Sequence, residues 1–309
     1  MDRENDLINL IEFFKVLWSG KIVIIITTAI FAISGVFYSL SLPNLYKSTA
    51  VLITVENNDT STGPALLSQY NSLASFAGIT LPSSSANKAD YAMELIKSRF
   101  LLKRLIEKYK EKKIKAKLFA VEGYDNVNKK IIYNKNLYDE KNNVWINSMS
   151  ELDDNSPTYL QIYRSSFKNL QVSKDKISGF ITISYVHKSP EFAAEFIDMV
   201  VNELNLITKE IDFNESSLSL DYLKKELSES TQVEIKNSIN SLITSQLNTL
   251  MLSSVKNDYL LKYLDQPYVP EIKYSPKRAL ICITWTFIGF FISLIYILSS
   301  RYIFLNNSK

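Results

Sequence analysis

Two long runs of apolar residues, one near each end of the chain, dominate its pattern of hydrophobic and polar positions. They cover residues 22–42 and 279–299, and neither contains a charged side chain. Roughly twenty such residues suffice to cross a bilayer as an α-helix. A buried core helix would explain one run but not a matching pair. A cleaved signal peptide ending near Ser39-Leu40-Ser41 is disfavoured, because the lead-in and the apolar run are both too long.

The two predicted spans divide the chain into five segments. Two spans place both termini on one side of the membrane, and the flanking charges favour cytoplasmic termini only slightly. Residues 5–18 have helical apolar spacing and form either an amphipathic helix on the membrane surface or a soluble lead-in. The segments are an N-terminal segment at 1–21, transmembrane helix 1 at 22–42, a periplasmic domain at 43–278, transmembrane helix 2 at 279–299 and a tail at 300–309.

The first part of the middle domain mixes strand and helix patterns. Residues 46–56 alternate and are rich in β-branched side chains, which predicts a strand. Residues 88–111 have the spacing of one or two amphipathic helices. Residues 167–189 indicate two short strands around a lysine-rich turn. Residues 119–166 are rich in asparagine and tyrosine and give no clear assignment.

A long helical hairpin is predicted at residues 190–258, and an α/β base is predicted from residues 43–189 and 259–278. Ser189 is a suitable N-cap and Pro190 suits the first helical position. Apolar residues then recur every three or four positions over a rod of roughly 60 Å. The fold class expected is therefore α+β, with two terminal transmembrane helices.

The apolar stripe of this rod is too long to be buried within one chain. After a break at 228–231, a single returning helix follows, and it cannot cover the rod even with the help of a small base. The uncovered stripe predicts lateral partners, most simply copies of the same chain in a ring. The stripe residues expected in this contact are Phe196, Leu204, Ile211 and Leu223.

Small residues recur at a spacing of four in both spans. Gly35 and Ser39 share one face of the first span, and Gly289 and Ser293 share one face of the second. Such pairs let helices approach closely in a membrane. They are also ordinary constituents of membrane helices, so both interpretations stay open. Neither span holds an ionisable residue that would indicate an ion pathway.

The composition offers little for catalysis or for a cofactor. The chain has one cysteine, Cys282, and one histidine, His187, so a zinc site or a Cys–His nucleophile would need these two to meet. One falls on a predicted strand and the other in a span. The seven glycines form no phosphate-binding loop. We therefore expect no enzyme, no cofactor and no metal.

Charge gives no case for nucleic acid, because acidic and basic side chains balance between the spans. The local exception is residues 103–117, which hold eight basic side chains. They could bind an anionic glycan or phosphate, but a solvated helix face with Glu107 and Glu111 as partners is favoured. Asp153 and Asp154 could be proposed as a hydrolytic pair, yet they sit in a plain acidic loop.

Four short motifs occur in a fixed order between the ends of the two spans. The first contains Pro43, Tyr46 and Ala50, and the second is the run SLASFAGI at residues 72–79. The third opens the long helix with Ser189, Pro190, Ala193 and Ala194. The fourth, the membrane-approach motif, consists of Asp265, Pro267, Pro270, Glu271, Pro276, Lys277 and Arg278. In this order the chain resembles the Wzz-type chain-length determinants, also called polysaccharide co-polymerases.

This resemblance implies an inner-membrane protein of Gram-negative bacteria with cytoplasmic termini and a periplasmic base and hairpin assembled as a ring. It implies a non-enzymatic regulator that sets the length of a glycan built on a lipid carrier. The implied partners are copies of the chain, a membrane polymerase, the bilayer and the carrier-linked glycan itself.

Two alternatives remain at this stage. The chain stops at Lys309, about ten residues past the second span, without the kinase domain of capsule-type relatives. This favours the lipopolysaccharide O-antigen type, or else a kinase-less subunit for capsule or exopolysaccharide. A periplasmic adaptor of an export machine would also use a helical hairpin, but usually with one anchor.

Overall fold

A computed structural model describes residues 18–55, 85–146 and 156–306 of the chain. It separates into two compact units. The terminal unit comprises Met1–Leu45 with Lys273–Lys309, and the central unit comprises Tyr46–Ile272. The predictions made for the SLASFAGI motif and for Asp153 and Asp154 lie outside the described residues, as does the prediction for residues 5–18 except at its last residue.

The elements alternate between helix and strand along the chain. The helices are α1 (Lys21–Ser41), α2 (Ser85–Ile96), α3 (Arg99–Lys108), α4 (Ile114–Phe119), α5 (Tyr159–Ser166), α6 (Pro190–Glu229), α7 (Val233–Val255) and α8 (Arg278–Asn306). Short 3-10 turns lie at Lys110–Lys112 and Phe167–Asn169. The strands are β1 (Tyr46–Thr54), β2 (Val121–Asp125), β3 (Lys130–Tyr133), β4 (Tyr138–Asp139), β5 (Val144–Trp145), β6 (Leu170–Lys174), β7 (Ile181–His187) and β8 (Leu261–Asp265).

The terminal unit is an antiparallel pair formed by α1 and α8. Both helices are long and apolar enough to cross a membrane. Pro43 ends α1, since a proline disfavours helical geometry at the residue before it, and Leu42 is indeed extended with ψ 132°. Beyond the helices, the backbone of Leu45 pairs with Ser275 through an N–H···O bond of 2.8 Å, and Leu45 O accepts a 2.8 Å bond from Tyr274 N.

The central unit is built on a four-stranded antiparallel sheet in the order β6-β7-β1-β8. In the pairing of β1 with β7, Tyr46 lies opposite His187 and Leu52 lies opposite Ile181. Alternate side chains of both strands point into the core, where α2, α3 and the first half of α6 cover them. This alternation is the one that the sequence of β7 predicts, with Ile181, Ile183 and Tyr185 on the buried face.

The long helix begins and ends where the sequence predicts. The Ser189 hydroxyl accepts the Phe192 N–H at 3.2 Å, and Pro190 occupies the first helical position. α6 then runs for 40 residues without a break, which is about 60 Å. It ends at Glu229, and α7 returns from Val233.

Residues 119–146 form two small β-hairpins that the sequence did not reveal. β2 pairs with β3, and β4 pairs with β5. Each turn starts with an aspartate whose carboxylate accepts backbone N–H bonds, Asp125 in the first and Asp139 in the second. An aromatic cluster of Tyr133, Tyr138 and Trp145 packs between the hairpins, with ring centroids 5.1–5.3 Å apart. Trp145 is therefore a packing residue here.

Candidate functional site

The described residues contain no cluster of histidine, cysteine and acidic side chains able to hold a metal. His187 lies in the central unit and Cys282 in the terminal unit. His187 is buried, its Nδ1 accepts the Ser189 N–H at 3.0 Å, and its Nε2 lies 3.0 Å from the Lys117 carbonyl. Since Nδ1 is an acceptor, Nε2 carries the proton and donates to that carbonyl. Burial lowers the pKa of His187 to about 4, so the ring is neutral at pH 7 and has a structural role.

Three cations of the basic run at 103–117 pair with acidic residues of α6, namely Arg104, Lys108 and Lys117. Lys103 and Lys110 face solvent, as the prediction of a solvated face expects. Glu203 on α6 is completely buried, and its carboxylate accepts from Arg104 Nε at 3.0 Å and from Lys108 Nζ at 2.7 Å. Arg104 also reaches Glu210 at 2.7 Å. The hydrogen bond to Glu203, followed by further contributions from Glu210, raises the pKa of Arg104. A buried carboxylate requires such partners, because an unpaired buried charge is strongly destabilising.

Lys117, on α4, also pairs with an acidic residue of α6. Its ammonium group lies 2.9 Å from a Glu195 carboxylate oxygen and 5.3 Å from the centroid of the Phe192 ring. Of the predicted local partners, Glu107 approaches Lys103 at 3.9 Å. The run therefore ties α3 and α4 to α6, which leaves fewer of its cations available for an anionic ligand.

Asn205 is a structural residue that sequence analysis missed. It is buried on α6, and its Oδ1 accepts the N–H groups of Leu260 and Leu261 at 2.9 and 2.8 Å. Its Nδ2 donates to the Leu261 carbonyl at 2.8 Å. One side chain thus fixes the start of β8 against α6. An asparagine inside an apolar helical stripe is the sequence signal for such a contact.

The four residues of the predicted hairpin stripe differ in burial: two are fully buried and two are partly exposed. Phe196 and Leu204 are fully buried in the core of the same chain, so the prediction that they await a neighbour is wrong. The base covers more of α6 than the helical period alone could indicate. Ile211 packs partly against the same core, and Leu223 is half-buried beyond it.

A different apolar surface remains uncovered on the hairpin. It lies on the second half of α6 and on α7, and several of its side chains are more than half exposed. These side chains lie on two helices of the central unit that pack against each other. The most exposed members of this surface are Leu218, Tyr222, Val233, Met251 and Val255.

The small residues of the two apolar helices lie where α1 and α8 meet. A Cβ added to Gly35 would lie 2.7 Å from the Cβ of Trp285, and one added to Gly289 would lie 2.6 Å from the Cβ of Phe31. Both distances are too short for carbon atoms, so these glycines permit the observed approach. Ser39 and Ser293 are also buried.

The Trp285 side chain lies against Gly35 and packs near two aromatic rings of α1. Its centroid lies 6.1 Å from that of Phe31 and 6.0 Å from that of Tyr38, both on α1. Gly20 makes a third approach, in which an added Cβ would lie 2.5 Å from Cδ1 of Ile297 and 3.0 Å from its Cγ1.

The membrane-approach motif is divided between the two units. In the central unit, Asp265 ends β8 and Pro267 and Pro270 follow it, and the intervening Tyr268 carbonyl accepts from the Ser48 hydroxyl at 2.7 Å. In the terminal unit, Pro276 follows Ser275 through a cis peptide bond. Lys277 is exposed there.

Arg278 completes the terminal part of this motif. It begins α8, and its Nη2 donates to Asn44 Oδ1 at 3.3 Å. The residues of the motif thus serve to lead the chain from β8 to the second apolar helix.

Residues 6–109 match the family model of the chain length determinant protein, Wzz. Over these residues the chain is similar to the Wzz-type chain length determinants. This match confirms the resemblance drawn from the sequence motifs, and it covers the first apolar helix, β1, α2 and α3. No curated protein sequence matches the chain.

Solved structures of polysaccharide co-polymerases and of a chain-length regulator are similar to the chain at low identity. A full-length bacterial polysaccharide co-polymerase is 16% identical with a TM-score of 0.41, and the match covers 98% of this chain and 100% of that one. A fragment of WzzB, the polysaccharide co-polymerase from Salmonella Typhimurium, is 16% identical with a TM-score of 0.31 over 75% and 100% of the two chains. A mutant of the Shigella flexneri lipopolysaccharide O-antigen chain-length regulator is 12% identical with a TM-score of 0.20 over 74% and 99%.

Proposed function

We propose that this protein is a non-enzymatic regulator of polysaccharide chain length, and that its product is the lipopolysaccharide O-antigen. The match of residues 6–109 to the chain length determinant family is the observation that carries the proposal. Two helices able to span a membrane, one near each end, agree with a protein that works beside a membrane polymerase on a carrier-linked glycan.

The proposed location is the bacterial inner membrane. α1 and α8 would be the two spans, both termini would be cytoplasmic, and residues 43–278 would be periplasmic. Two spans require both termini to share one side, and a long loop can be exported largely regardless of its charge.

The protein is proposed to act as a homo-oligomer, in a ring. The support is the uncovered apolar surface on α6 and α7, which a soluble hairpin would not leave open to water. Of the four predicted stripe residues, Phe196 and Leu204 are buried in the core of the same chain. Ile211 and Leu223 are only partly buried, so they can still contribute to this contact.

The first test is an electrophoretic profile of surface lipopolysaccharide from a strain lacking the gene and from the same strain complemented with it. We expect the mutant to lose a clustered band of chain lengths, and complementation to restore it. An unchanged ladder in both strains would refute the O-antigen assignment. Capsule and exopolysaccharide sizes measured on the same two strains then decide whether another exported glycan is regulated.

A second test addresses the non-enzymatic role. Purified protein is incubated with carrier-linked glycan, and the glycan is analysed for cleavage, extension or transfer. No turnover is expected, whereas turnover that persists after repurification would overturn the proposal of a regulator without chemistry.

A further inference from the structure

The turn between β2 and β3 presents the apolar side chain of Val127 to solvent. Asp125 Oδ1 accepts the N–H groups of Val127 and Asn128 at 2.9 and 3.2 Å, and Lys129 adopts a left-handed φ of 51°. This geometry holds Val127 outward at the tip, where it is 90% exposed. Ile132 on the same hairpin is also exposed.

The hairpin is fixed against one end of the main sheet. The Tyr46 hydroxyl, at the start of β1, donates to Asn126 Oδ1 at 3.0 Å, and the rings of Tyr46 and Tyr124 lie 6.3 Å apart. Lys188, next to the residue that pairs with Tyr46, donates to the Val121 carbonyl at 2.6 Å. The turn therefore stays beside the first residue of β1.

The covalent chain limits how far that residue can be from the membrane. Tyr46 follows Ser41, the last residue of α1, by five positions, so their Cα atoms are at most about 17 Å apart in any arrangement of the chain. α1 has 21 residues, about 31 Å, which matches the roughly 30 Å hydrocarbon core. With α1 as a span, Ser41 would lie near the edge of the bilayer, and the length of the chain allows Tyr46 and the β2–β3 turn beside it to reach the headgroups.

The chemistry of the turn suits that location. Lys129 and Lys130 follow the exposed valine, both exposed, and Asp125 is the acidic residue of the turn, which leaves the tip with a net positive charge. Lysines at a membrane surface attract anionic headgroups, and an exposed apolar side chain beside them gains from entering the interface.

We propose that the β2–β3 turn, residues 125–130, is a membrane-surface contact in which Val127 enters the headgroup region and Lys129 and Lys130 bind anionic lipid phosphates. This contact would hold the central unit at a fixed height and rotation relative to the bilayer. The inference requires only that α1 is a span, and it does not rest on the proposed role in chain-length control.

The chain supplies a matched control in the turn between β6 and β7. Asp175 accepts the N–H groups of Ile177 and Ser178 at 2.8 Å, Gly179 has a φ of 73°, and Ile177 is 99% exposed. The turn has the same design and also exposes a β-branched side chain. However, it lies at the opposite end of β7, because Ile181 pairs with Leu52 rather than with Tyr46.

The test places a fluorescent thiol label at each tip of the full-length protein in lipid nanodiscs. Val127→Cys and Ile177→Cys are made in a Cys282→Ala background, so that each variant has one thiol. We expect headgroup-spin-labelled lipid to quench the Val127→Cys label strongly and the Ile177→Cys label little. Equal quenching at both positions, or none at Val127→Cys, would overturn the proposal.

Two further arms identify what covers the turn. In nanodiscs that contain phosphatidylglycerol, the double substitution Lys129→Gln and Lys130→Gln should reduce quenching at Val127→Cys, with a smaller effect in pure phosphatidylcholine. If the double variant behaves the same in both lipids, the lysine contact is refuted. A soluble quencher is also applied to the Val127→Cys label, both in nanodiscs and in detergent-solubilised protein. If the label is shielded from this quencher equally well in the two samples, a second copy covers the turn and the lipid proposal is wrong.

Discussion

Replacing Gly289 by leucine should separate α1 from α8. The nearest atom to an added Cβ is the Cβ of Phe31 at 2.6 Å, and the next is its Cγ at 2.9 Å. A Cβ atom is fixed to the backbone and cannot rotate away, so the helices themselves must move by about 1 Å to restore a normal carbon–carbon distance. Overpacking of this kind costs about 1–3 kcal/mol, and leucine adds three more carbons to the same contact.

The size of the side chain decides the magnitude. Alanine at this position regains about 1 kcal/mol of helix propensity relative to glycine, which offsets much of its steric cost. Leucine has the same propensity advantage but a far larger clash. We therefore expect Gly289→Ala to destabilise the helix pair by about 1 kcal/mol and Gly289→Leu to destabilise it by at least about 2 kcal/mol.

The native Cys282 provides the assay, because it is the single thiol of the chain and lies in α8. A dye that fluoresces on reacting with a thiol reports its exposure as the purified protein is heated in detergent. Gly289→Leu should lower the midpoint of this transition by several degrees. The matched control is Ala29→Leu, an exposed position on α1. Equal midpoints for Gly289→Leu and Ala29→Leu, with unchanged oligomer size, would refute the close packing of the two helices.

Three further predictions concern the central unit. Asn205→Leu should cost about 2–5 kcal/mol, because it leaves two buried N–H groups unpaired, those of Leu260 and of Leu261 at the start of β8. Hydrogen exchange should accelerate at these two amides, whereas Asn202→Leu, exposed on the same helix, should not show this. The folded-state pKa of His187 is lowered from 6.5 to about 4, so as the pH falls the unfolded chain binds the proton first. The free energy of unfolding should therefore fall by up to about 3 kcal/mol between pH 6.5 and pH 4. His187→Asn should abolish this pH dependence of the denaturation midpoint. Lys129→Gly should stabilise the protein by up to about 1 kcal/mol and Gly179→Ala should destabilise it by a similar amount, both read from denaturant midpoints, and shifts of the opposite sign would contradict the left-handed turns.

Local patterns predicted the regular elements well. The N-cap and first-turn proline at Ser189 and Pro190 are signals contained in a few adjacent residues, and α6 begins there. The small β-hairpins escaped detection since their strands are only two to five residues long. The repeated spacing of Asp125 with Asn128 and of Asp139 with Asn142 was the available signal, because an aspartate that accepts two backbone N–H groups favours a tight turn.

Contacts between distant parts of the chain were less accessible. Arg104 and Glu203 are 99 positions apart, and no periodicity in the basic run indicates that its partners lie on another helix. The prediction that the whole apolar stripe on α6 contacts a neighbouring copy failed for a related reason. Helical spacing shows which side of a helix is apolar, but Phe196 and Leu223 look alike until the extent of the covering base is known.

The single helix α6 connects the buried and the uncovered parts of the central unit. The first half of α6 is held in place by three sets of contacts along one continuous stretch of helix. These are its packing in the apolar core, the ion pairs of Glu203, and the hydrogen bonds from Asn205 to the start of β8. Beyond Ile211 the same helix carries the exposed Leu218 and Tyr222. Because no proline or break interrupts α6 between Pro190 and Glu229, a partner bound to the exposed half would be held in a fixed orientation to the sheet. Breaking the Glu203 ion pairs or the Asn205 hydrogen bonds to Leu260 and Leu261 should therefore loosen the proposed assembly as well as the fold, although neither residue lies in the exposed half.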